Sequence, residues 1–152
     1  MNITYEVPGD DFTRAGEASG KLKKTLKQIG FDADIIRRVT IAMYEAEINM
    51  VIHAHGGIIE TKIAPDKIEL WFKDKGPCIP DIDLAMKEGY STAPDNVRSL
   101  GFGAGMGLPN IKKYTDEMKI ETELGVGTTV FIAVNIYNYG GFYDEAIPFS
   151  YA

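Results

Sequence analysis

The chain has one cysteine, Cys78, in 152 residues, so no internal disulfide can form and a reducing cytoplasm is the expected setting. It has no apolar run of 18 residues, which argues against a membrane-spanning helix. It has no basic cluster: its formal net charge is −6, with 16 Lys and Arg against 22 Asp and Glu. A nucleic-acid footprint would need the opposite balance on one face. The opening "MNITYEVPGD" lacks the basic start and apolar stretch of a secretory signal. What is left is ordinary for a soluble globular protein with a real core: 45% hydrophobic and 25% charged residues.

Local patterning predicts alternating elements without repeats. "NITYEV" alternates as a first strand, closed by Pro8 and Gly9. Asp10 or Asp11 is placed to cap a helix over about 12–29, with Gly30 as its stop. Asp32 or Asp34 opens a second helix to about 54, in which Ile35, Val39, Ala42, Met43, Ala46 and Met50 form one apolar face. "IIETKIA" and "KIELWFKD" are strands joined at Pro65-Asp66. A short helix over 81–87, a long loop over 88–105 and a helix over about 107–117 follow, then strands "MKIETEL" and "TTVFIAVNI". This order predicts an α+β two-layer sandwich, a mixed, mostly antiparallel sheet covered on one face by helices. Residues 1–135 form the expected domain. Residues 136–152 form an extension whose last 16 residues carry six aromatics, too many for a solvated tail.

Four short segments carry candidate chemistry. "SLGFGAGMGL" places four of the 16 glycines within seven residues, immediately before a helix. Free N–H groups at such a helix start can hold an anion. The run read alone fits a flexible connector equally well. It lacks the Gly-Lys-Ser/Thr of a P-loop and lies too far down the chain for a dinucleotide turn. Glu45 and Asn49 are one turn apart on the second helix and suit phosphoryl transfer, the Asn on a metal and the Glu on an attacking oxygen. Two unrelated polar surface residues are the plainer alternative. Glu47 lies on the other side of that helix and is expected at the solvated surface. His53 and His55 find no third ligand at helical spacing for a zinc site. Asp74 and Gly76, in "DKGPCIPD", fit either a plain turn or a pocket in which the carboxylate accepts from an exocyclic amine. Thr128, at the mouth of the last strand, could bond a purine nitrogen or simply be a β-branched strand residue.

Taken in order, "EAEIN", "DKGPCI", "GFGAGMGL" and "GVGTT" resemble the GHKL superfamily of ATP-binding domains over roughly residues 3–134. Within it the chain is most similar to the bacterial serine kinases that phosphorylate STAS-domain proteins: the anti-sigma-factor kinases and, more so, the stressosome switch kinase. The resemblance implies the Bergerat fold, ATP and Mg²⁺ as cofactors, and a STAS-domain substrate. A sigma factor or phosphatase is a further partner it suggests, and a homodimer is compatible with it. It implies Glu45 as general base, Asn49 as the Mg²⁺ ligand, and Asp74, Gly76 and Thr128 around adenine. It also implies Gly103, Gly105 and Gly107 along the phosphates, with Leu108 opening the helix behind them. Ser91 to Gly103 would be a lid, with Arg98 its one arginine. Two departures stand out: Cys78 where the family has a second glycine, and a longer lid containing "APDNVRSL". A nucleotide-gated binding module with little transfer activity is the alternative function, and a slow ATPase without a protein acceptor a third.

Overall fold

The computed structural model describes residues 1–9, 11–76, 86, 107–123 and 125–136, without the side chain of His53. The expected short helix over 81–87, the long loop, the lid with Arg98, Cys78, Gly103, Gly105 and the aromatic extension beyond Ile136 lie outside the described residues.

The first strand, β1, is Asn2–Pro8. The single helix expected over 12–29 is instead two pieces. Asp11 caps a short 3-10 turn, Phe12–Arg14, by accepting from the Thr13 N–H at 3.2 Å. The chain then bends through Gly16, at φ +90°, into helix α1, Glu17–Ile29. A left-handed residue cannot continue a helix, so the break falls where only glycine is at ease. At the other end Gly30 does what the sequence predicts: at φ +100° it caps α1, its N–H bonding Leu26 O at 3.1 Å. Asp32 accepts from the Asp34 N–H and starts α2, Ala33–His53.

Strands β2, Gly56–Ile63, and β3, Lys67–Asp74, form the expected hairpin. Helix α3, Gly107–Tyr114, precedes strands β4, Glu117–Glu123, and β5, Gly127–Asn135. Pro109 is tolerated in the first turn of α3, where its missing N–H has no helical acceptor. The helix stops short of the predicted 117 because Asp116 is engaged elsewhere: its carboxylate accepts from the Asn135 N–H at 2.6 Å and from Arg38 at 3.1 Å.

The five strands form one sheet in the order β1-β2-β3-β5-β4. The expected "mixed" character is not seen: all four pairings are antiparallel. The two helices between β1 and β2 carry the chain back twice, so β2 enters next to β1 running the other way. One face alternates inward, with Ile59, Ile63, Ile68, Leu70, Phe72, Ile132 and Val134 packed into one core with Leu22, Leu26, Val39, Met43 and Met50 of the helices. The predicted apolar face of α2 is wholly within this core. Trp71 and Phe131 lie on the opposite face, ring centroids 5.2 Å apart. Thr61 faces the core between Ile3 and Leu70, and its hydroxyl has no partner among the described residues.

Candidate nucleotide site

Two clusters meet where α2 ends and β3 finishes. The first joins α2 to the start of α3. Glu45 and Asn49 are both half-buried on α2. Asn110, on α3, donates from Nδ2 to Glu45 Oε2 at 3.0 Å. The Asn49 amide lies against Gly107: a Cβ built there would sit 3.0 Å from Asn49 Nδ2 and 3.1 Å from Oδ1. Gly107 therefore leaves the Asn49 amide room that any side chain would take. Leu108 follows and packs on the edge of the core, which fixes the first turn of α3.

The second cluster lies at the end of the sheet. Asp74 is the last residue of β3 and pairs in register with Thr128 of β5, both facing the helical layer. Asp74 Oδ1 accepts from the Gly76 N–H at 2.9 Å. Burial pushes the Asp74 carboxyl above its usual range, against the opposing pull of the Gly76 and Thr128 backbone donors. Gly76 is pressed on the end of α2, where a Cβ would come within 2.6 Å of Ala54 Cα. Gly127, at φ +132°, admits no Cβ either, since one would lie 2.1 Å from Asp74 O. Thr128 is buried, its hydroxyl 3.1 Å from that of Thr122. Asn49 and Ala54 are five residues apart on α2, about 7.5 Å along its axis, so one rigid helix holds both clusters.

The structure thus brings Glu45, Asn49 and Gly107 together, and Asp74, Gly76 and Thr128 together. Asn110 was not anticipated. Its position three residues after Gly107, in the first turn of the helix that follows the glycine run, is the one signal that could have found it. Glu47 was anticipated wrongly. It is 2% exposed, not solvated. Its carboxylate accepts from the N–H groups of Gly16, Ala18 and Ser19 at 3.0, 3.1 and 3.0 Å. It is the missing cap of α1, whose own Gly16 has no side chain to provide one. A helix-wheel reading places Glu47 away from Glu45 but cannot see that another helix end lies there. Among the described residues no three His, Cys, Asp or Glu side chains cluster as a metal cage. No described helix is long and apolar enough to cross a membrane.

Comparison with known proteins bears on the whole arrangement. Residues 10–134 match the model of the histidine kinase-like ATPase domain family. The serine/threonine-protein kinase RsbT of Bacillus subtilis is 30% identical over 112 residues, 71% of this chain and 78% of the relative. An anti-sigma F factor of Halalkalibacterium halodurans is 28% identical over 138 residues, 87% and 89% of the two chains. Among solved structures, the RsbU and RsbW domains of Rv1364c from Mycobacterium tuberculosis share the fold, with a TM-score of 0.60 and 17% identity over 88% of this chain and 32% of that one. The match spans both clusters described above, and it shows that this chain belongs to the histidine kinase-like ATPase domain family.

Proposed function

We propose that this protein is a Mg²⁺- and ATP-dependent protein-serine kinase that acts as a switch by phosphorylating a STAS-domain partner. The observation that carries the proposal is the placement of Glu45 and Asn49 side by side on α2, facing the start of α3. A pure nucleotide binder has no use for a carboxylate there. In this reading Asp74 accepts from the adenine amino group, Gly76 lets the base approach, and Thr128 completes the purine pocket. Gly103, Gly105 and Gly107 line the phosphates.

The donor set fits a metal that arrives with the nucleotide. Asn49 offers one carboxamide oxygen beside Gly107, and Mg²⁺ commonly takes one or two protein oxygens and fills its shell with phosphate and water. When bound, the ion neutralises charge on the transferring phosphoryl group. Glu45 then takes the proton of the acceptor serine hydroxyl as that oxygen bonds the γ-phosphorus and the bond to ADP breaks. Asn110 holds one Glu45 oxygen, which leaves the other to face the acceptor. The names of the relatives support a kinase and anti-sigma role. A cytoplasmic location and the STAS acceptor rest on the resemblance. A sigma factor or phosphatase as second partner, and a homodimer, rest on it too.

Incubation with γ-labelled ATP and candidate STAS proteins, followed by mapping of the label, tests the reading. Label on a partner serine is the expected result. ATP-dependent complex formation without label would instead establish the nucleotide-gated binding module.

A further inference from the structure

Between α1 and α2, on the side away from the sheet, lies a groove of about 460 Å³. Phe31, Ile36 and Ile41 supply its apolar surface, and Lys23, Lys27 and Arg37 its charge. No carboxylate lines it, in a chain whose net charge is −6. Arg37 has Asp34 at 3.0 Å; Lys23 and Lys27 have no ion-pair partner among the described residues. A groove of this size and make-up suits an anionic segment that also carries large apolar side chains.

The chain contains one. The stretch Tyr137 to Ala152 has six aromatics, Asp144 and Glu145, and not one Lys, Arg or His. Its root is fixed close to the groove. Asn135 donates to the Asp116 carboxylate, and Arg38, next in sequence to the groove's Arg37, donates to that same carboxylate. Ile136 is in the core with Phe31 and Ile36. From Ile136 to Tyr143 the chain spans up to about 23 Å, and Gly140-Gly141 offers a point of reversal on the way. We propose that the segment from Phe142 to Phe149 docks in its own chain's α1–α2 groove, with Asp144 and Glu145 on Lys23 and Lys27 and aromatic rings on the apolar floor. Charge sign and apolar content agree, and the interaction is intramolecular because the tether holds the two at high effective concentration.

Zero-length carbodiimide coupling of the full-length protein, with peptide mapping across a dilution series, tests this. Coupling joins a carboxylate to an amine in contact. The expected products are Lys23 or Lys27 joined to Asp144 or Glu145 within single chains, with a yield independent of protein concentration. Chymotryptic cleavage within the tail gives a second readout. Lys23→Glu/Lys27→Glu should cleave at least several-fold faster than the parent, and high salt should do the same to the parent. The same crosslinks found only between chains would assign the groove to a second copy and overturn the proposal. Absence of the crosslinks, or cleavage unaffected by charge reversal, would overturn it as well.

Discussion

Glu45 and Glu47 are two residues apart on one helix, and their surroundings are opposite. Glu47 is sealed and answers three backbone N–H groups at a helix start. Glu45 is half-open and answers a single side-chain amide. A carboxylate whose acceptor capacity is used up and which water cannot reach has a structural task. One with an oxygen that takes no hydrogen bond among the described residues is, in the proposed reading, available for proton transfer. The type of residue is the same; the number of donors already spoken for decides the role.

The sharpest test of that contrast is to remove each carboxylate in turn. Glu45→Gln should lower phosphoryl transfer by about 10²–10⁴-fold while ATP affinity stays within about two-fold, read by single-turnover labelling and isothermal titration. Near-normal transfer would remove Glu45 from the base assignment. Glu47→Ala should do the reverse. It leaves three N–H groups without acceptors and should destabilise the fold by about 3 kcal/mol, measured by urea unfolding. Any loss of activity should then track the folded fraction.

Asn110→Ala separates orientation from chemistry. Transfer should fall by roughly 3–10-fold, with ATP affinity kept. Asn110→Ser should recover part of the rate. A rate loss that Asn110→Ser does not partly recover would reduce Asn110 to packing.

Asp74 extends the comparison to a third carboxylate, one whose partial burial raises its titration. Its folded-state titration lies above its unfolded one, so its contribution to stability is present at acid pH and is lost as pH rises through the folded value. Asp74→Asn should therefore raise Tm of the nucleotide-free protein near neutral pH, and the gap should close on acidification. ATP affinity should fall in the same variant. Higher stability with weaker binding would mark Asp74 as held for the nucleotide rather than for the fold. The smallest effect concerns Thr61, whose buried hydroxyl is unpaired: Thr61→Val should stabilise by about 1 kcal/mol in the same urea assay, with no change in transfer.

Much of this arrangement was legible in the sequence, for identifiable reasons. The apolar face of α2, the β2–β3 hairpin and the Gly30 stop follow from local patterning, and local patterning is what a sequence displays. Glu45, Asn49, Asp74, Gly76, Gly107 and Thr128 were legible as a set, because four short segments in fixed order are far rarer than any one. Glu47 was not, since its partners are 28 to 31 residues away and nothing local records that α1 begins without a cap. The break at Gly16 was hidden by the same fact: a distant carboxylate lets the helix start late. Nor does periodicity reveal that Asp116 leaves α3 to serve Asn135 and Arg38.

The contact of Gly76 with Ala54 has a mechanical consequence. It joins the end of β3, where the base would be recognised in the proposed reading, to the end of the helix that carries Glu45 and Asn49. Purine recognition, metal ligand and proton acceptor would thus belong to one fixed jaw. Exchange of ATP for ADP would then leave them together, and a difference sensed between the two nucleotides would have to be registered elsewhere, where the γ-phosphate lies.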